Sequence, residues 1–220
     1  MKMIKPSPIY AFLFMILLIW SCSSEKSSQE TLSEGQKDEL LEERILIESG
    51  LQQIKTWSNY WKENNPDFNL SAFSLERRES FEELEWPEEN PIIPGNPFYP
   101  YLLPNPEGKG VVDIYSYKVF VPAEGKPGFQ PDSEVIFFKE NGMRERLLFM
   151  GPSGGFEEAV WVSPDKLLVA GYFEEEEGIS PKLWLIDVEK KQYSIFKHPI
   201  ITTKFEKQGY LISKLRNIDF

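Results

Sequence analysis

The chain is poor in the residues that most often do chemistry. It has one cysteine, Cys22, and one histidine, His198, among 220 residues. A single cysteine excludes an intramolecular disulfide, so stability has to come from packing. A single histidine excludes a multi-histidine metal site and leaves the commonest general base in short supply. His198 lies in Phe196-Lys197-His198-Pro199 with no nucleophile beside it in sequence, and reads as a surface-loop residue. Basic residues are outnumbered, 24 against 35 acidic, for a net charge of −11. That surface repels phosphate backbones, which argues against nucleic-acid binding. It also disfavours lying flat on anionic lipid. What it suits is solubility and a basic partner.

No long apolar run is present either. The longest, Ile9 to Trp20, has 12 residues, against about 20 for a membrane-spanning helix. It has the length of a signal-peptide hydrophobic region. Lys2 and Lys5 precede it, and Ser21, a small residue, comes before Cys22.

Ile19-Trp20-Ser21-Cys22 resembles the lipobox of bacterial lipoprotein signal peptides, with Trp20 where a small residue is usual. The resemblance implies acylation of Cys22, cleavage before it and acylation of the new N-terminus. Two or more acyl chains anchor stably where one is marginal. Ser23, rather than an Asp, follows the cysteine, which by the same resemblance implies the outer membrane. The lipid bilayer is then one partner, through Cys22. Without residues 1–21 the chain would keep 199 residues, 22 basic and 35 acidic, net −13. That length fits one domain on a tether.

Residues 22–36 are rich in Ser, Glu and Gln and read as the tether; residues 37–220 read as a single globular domain. A helix is expected over 37–62, with Ser33 and Gln36 as a capping box and acidic residues at its positive end. Ile47, Leu51, Ile54, Trp57 and Trp61 recur at helical spacing and form one apolar stripe, read as core-facing, with Gly50 a weak point. A second short helix fits Leu75 to Leu84, where Glu76-Arg77-Arg78-Glu79 reads as a solvated face.

The connector 86–106 is proline-rich. Pro91, Pro94, Pro97 and Pro100 repeat every third residue, the period of a polyproline II helix. Together with Phe98 and Tyr99 they are the candidate partner-binding residues, for docking on an aromatic groove. The rival, favoured reading is a rigid connector lying on its own domain, because its aromatic side chains are costly to expose.

Residues 111–220 are rich in β-formers and contain an internal repeat. One copy runs Ile114 to Val121, a loop, Glu134 to Phe138, a turn at Asn141-Gly142, and Arg146 to Met150. The other runs Lys166 to Phe173, a loop, Lys182 to Asp187, a turn at Glu189-Lys190-Lys191, and Gln192 to Phe196, with an extra strand at Phe156 to Val162. Val160-Trp161-Val162-Ser163-Pro164-Asp165 and Leu183-Trp184-Leu185-Ile186-Asp187 resemble a blade of a WD40- or TolB-type β-propeller. The chain has room for about two blades, and a closed propeller needs four or more. The expected fold is α+β, mainly antiparallel β, with the N-terminal helix packed on an open blade-like meander and Tyr210 to Phe220 as a last strand.

No catalytic, cofactor or metal residue is assigned. Gly151-Pro152-Ser153-Gly154-Gly155 lacks the Lys-Ser/Thr of a phosphate loop and reads as a turn. Glu174 to Glu177 lacks calcium-loop spacing and reads as a solvated hairpin tip. Glu157 and Glu158, adjacent on a strand, are expected on opposite faces and so unable to pair. Asp165 and Asp187 read as turn caps. The function expected is a non-enzymatic binding or structural role in the cell envelope, with protein or peptide recognition its sharper form. Two alternatives stay open: an immunity or inhibitor lipoprotein that neutralises a basic toxin or enzyme, and a glycan hydrolase, which requires two carboxyl groups roughly 5–9.5 Å apart.

Overall fold

The computed structural model describes residues 33–81 and 84–220. Helix α1 (Glu34–Gln53) starts on the expected capping box: Ser33 Oγ accepts from the Gln36 N–H, and Gln36 Oε1 accepts from the Ser33 N–H. Because Ser33 is the cap, the helix begins three residues before the expected start at 37 and takes in the end of the expected tether. It also breaks. Ile54 leaves helical geometry (φ −101°, ψ 44°), and the chain resumes as α2 (Lys55–Asn64). The apolar stripe survives the break, since Ile47, Leu51, Ile54, Trp57 and Trp61 are all buried. Gly50 marks a close approach: a Cβ there would sit 2.5 Å from Leu168 Cδ2 and 2.8 Å from Val162 Cγ1.

Among the described residues twelve strands follow: β1 (Ser74–Ser80), β2 (Glu85–Pro87), β3 (Leu103–Pro104), β4 (Gly110–Asp113), β5 (Val119–Phe120), β6 (Gly128–Phe129), β7 (Ser133–Lys139), β8 (Met143–Met150), β9 (Gly154–Ser163), β10 (Lys166–Glu175), β11 (Gly178–Asp187) and β12 (Gln192–Lys197). They form two five-stranded antiparallel sheets, ordered β1-β12-β11-β10-β9 and β2-β8-β7-β4-β3, with β5 and β6 as a separate pair. The fold is α+β and mainly antiparallel, with α1 against β9. Among the described residues neither sheet closes into a barrel or propeller.

Each sheet is a meander completed at its outer edge by a strand from before the repeat, β1 on β12 and β2 on β8. The second copy of the repeat appears as β10, β11 and β12. In the first copy the expected strand Ile114 to Val121 shrinks to its end, Val119–Phe120, which is β5 and pairs with β6 rather than with the sheet. The Asp113 carboxylate accepts from the N–H groups of Tyr115 and Ser116 and turns the chain. Two other elements differ. Residues 74–80 form strand β1, not a helix, and the tail holds a short helix, α3 (Gly209–Lys214), not a strand. Tyr210, Leu211, Leu215 and Ile218 are buried from it onward, a helical spacing rather than an alternating one.

Candidate functional site

Cys22 lies outside the described residues. The proline segment does not form a polyproline II helix, which has no internal hydrogen bonds. Here Asn96 N–H donates to the Ile93 carbonyl, Tyr99 N–H to that of Asn96, and Tyr101 N–H to that of Phe98. The Asn90 and Asn96 side chains accept from Ile92 and Phe98 N–H, and Gly95 turns at φ +99°. These asparagine-capped turns break the three-residue period, so Pro91, Pro94, Pro97 and Pro100 do not share one helical edge. Ile92 and Phe98 are buried in the core, as the connector reading requires, while Ile93 (64%) and Tyr99 (45%) stay exposed. Asn217 pins the segment from the C-terminal side, donating to the Pro97 carbonyl and accepting from the Tyr101 hydroxyl.

Nothing in the sequence marked a buried polar cluster around Glu157 and Glu158. Glu157 is fully buried and Glu158 is 4% exposed. They do not point to opposite faces. Ala170 pairs with Glu158 and Gly171 with Phe156, which makes Glu157 the extra residue of a β-bulge. The bulge breaks strict alternation and brings both carboxyl groups to the side covered by α2 and α3. Glu157 Oε2 accepts from Trp57 Nε1 at 2.8 Å. Glu158 Oε2 accepts from the Tyr210 hydroxyl at 2.6 Å and pairs with Lys214 Nζ. The Tyr115 hydroxyl donates to the Glu157 carbonyl at 3.1 Å.

Burial pushes the Glu157 carboxyl up to about 8, the indole N–H groups of Trp57 and Trp61 only partly oppose this, and the nearby Glu158 charge adds to it. At neutral pH Glu157 is therefore mostly protonated. Its Oε1 and the buried Trp61 Nε1 have no partner in good hydrogen-bond geometry among the described residues, so the Trp61 dipole acts on the carboxyl without a well-formed bond. Burial and the Glu158 charge together raise the Tyr210 phenol as well. The side chains of Tyr210 and Lys214 bind Glu158 from one side and line a surface cleft of about 560 Å³ on the other, so the buried carboxylate supports the cleft floor.

His198 is a correction of a different kind: it is buried rather than on a surface loop. Its Nδ1 accepts from the Ile200 N–H, so Nε2 carries the proton and donates to the Asn69 carbonyl at 3.0 Å. The ring lies between Phe68 and Phe73, and burial lowers its pKa. Asp187 caps the β11–β12 turn as expected, accepting from the Glu189 and Lys190 N–H groups. Lys166 Nζ bridges it to Asp165, at 2.9 and 2.6 Å. The hydrogen bonds from Lys166 and Ser163 hold the Asp165 carboxyl down at about 2. Pro152 and Ser153 form a turn, and Glu176 and Glu177 the exposed β10–β11 tip.

A second cleft, of about 600 Å³, gathers Lys109, Lys139 and Lys191 around the buried Glu145. Each lysine there already faces a glutamate: Lys109 meets Glu189, Lys139 meets Glu85 and Glu145, and Lys191 meets Glu145. No protein-family model, curated protein or solved structure matches the chain.

Proposed function

We propose that this chain is a lipid-anchored protein of the bacterial cell envelope with a non-enzymatic binding or structural role, recognition of a protein or peptide being its sharper form. One observation carries the reading: the only cysteine stands at residue 22, behind a 12-residue apolar run that Lys2 and Lys5 precede. The acidic excess supports a soluble body held off the lipid and suits a basic partner. Ile93 and Tyr99, exposed on a segment of bonded turns, are the contact residues offered to that partner, with Pro91, Pro94 and Pro100 beside them. Phe98, buried, supports the segment from beneath.

The test is fractionation of cells fed labelled palmitate. The wild-type protein is expected in the membrane fraction and labelled, and Cys22→Ala soluble and unlabelled. Equal partitioning and equal absence of label would remove the envelope assignment. Affinity capture from envelope extract, with Ile93→Ser/Tyr99→Ser as the comparison, then tests the contact surface: a partner retained equally by both forms places recognition elsewhere.

A further inference from the structure

The cleft above Glu158 has a charge pattern that its own domain leaves unanswered. It is lined by α2 and by α3 with its exit. Of its three charged residues, Lys214 is tied to Glu158. The other two have opposite sign. Glu63 stands on the last turn of α2 and Arg216 two residues beyond α3, both exposed and both without a salt bridge among the described residues. Arg216 Nε makes one long contact, 3.5 Å to the Ser213 carbonyl, and its terminal guanidinium nitrogens hold no hydrogen bond among the described residues.

The same cleft carries a packed aromatic wall. The Tyr60 ring packs edge-on against Tyr210 at 5.4 Å and against Phe205 at 6.0 Å. Tyr210 is itself anchored through Glu158 and Thr56. Asn59 adds an exposed amide that bonds to nothing else described.

We propose that this cleft binds a zwitterion of short-peptide size, its carboxylate on Arg216, its ammonium on Glu63 and a side chain against Tyr60. An arginine fork matches a carboxylate in two parallel hydrogen bonds, which gives orientation as well as strength. A plain anion would meet Arg216 but also Glu63 and the field of a body at net −11. A plain cation would meet Glu63 but also Arg216 and Lys214. A ligand carrying both charges, and none net, is attracted at each end and indifferent to the overall field. The volume lies within the range of small-ligand sites and exceeds what one amino acid fills. The inference stands on the cleft alone, whether or not the chain is anchored.

The experiment is saturation-transfer NMR on the full chain in detergent micelles, with the dipeptides Ala-Tyr, Ala-Ala, Ala-Lys and Ala-Glu as probes. Ala-Tyr is expected to bind. Acetylating its amine or amidating its carboxyl should each weaken it by roughly 10-fold or more, the effect of one charged hydrogen-bonding group. Arg216→Gln and Glu63→Gln should do the same, with melting temperatures unchanged. Absence of transfer from every dipeptide at about 10 mM, equal binding of the capped and free forms, or wild-type affinity in both variants would overturn the proposal. The capping comparison uses wild-type protein, so it decides even if a variant misfolds.

Discussion

At the scale of single residues, Glu157 adds its own pH dependence to the stability of the fold. A carboxyl raised to about 8 in the folded chain holds a proton that the unfolded chain releases near 4.5. Between those values the folded state binds more protons, so stability falls as pH rises. The contribution is fully present below the unfolded pKa and lost by about pH 8, at up to ~1.4 kcal/mol per pH unit for a single site. Glu157→Gln keeps an acceptor for Trp57 and removes the titration. Urea midpoints at the two ends of that window should show the wild type losing stability relative to the variant as pH rises, with the variant the more stable protein at the alkaline end. Parallel slopes would mean that Glu157 is ionised in the fold. Nothing in the sequence marked this residue: period-two alternation sends neighbours to opposite faces, and a bulge is invisible to that rule. The same limit hid His198, whose burial depends on Phe68 and Phe73, more than 120 residues earlier in the chain.

Among the elements, α1 is fastened to the first sheet by polar as well as apolar contacts. Arg78 on β1 holds the Glu43 carboxylate through two nitrogens, at 3.2 and 2.7 Å, and Ser194 on β12 donates to the same group. Both charges are largely shielded, so the pair counts for more than an exposed one. Glu43→Ala is expected to cost about 1–2 kcal/mol and to speed amide exchange in α1 before β10. An unchanged midpoint with unchanged α1 protection would reduce the contact to a surface pair.

This tie also explains which elements could be read in advance. β10, β11 and β12 were legible because apolar runs between turn residues signal strands wherever they are buried. β1 was not. Glu76, Arg77 and Arg78 pair with Lys182, Glu79 and Glu43, all on other parts of the fold or along the strand itself. Charge along a sheet edge deters pairing with other chains, and in sequence it looks like the wet side of a helix. The stripe from Ile47 to Trp61 was legible as one helix, but the break at Ile54 was not, since no proline or glycine sits there to announce it.

For the molecule as a whole, the question is whether the two sheets are one cooperative unit. Strand β9 belongs to the first sheet yet also touches β3, β7 and β8 of the second. Trp161 on β9 meets Phe137 on β7 edge-on at 5.7 Å and donates to the Leu103 carbonyl. Asn105, 4% exposed, donates to the Pro164 carbonyl at 2.8 Å while its Oδ1 accepts from the Glu107 N–H. That one amide joins the β3–β4 turn to the β9–β10 turn, and it has no solvent to fall back on. Asn105→Leu keeps the volume and strands both backbone groups, which should cost about 2–3 kcal/mol. If the sheets fold as one, protection should drop by the same amount in β7 and in β11, and fluorescence and circular dichroism should follow a single urea transition. A drop confined to β7, or two transitions, would make the second sheet a separate folding unit.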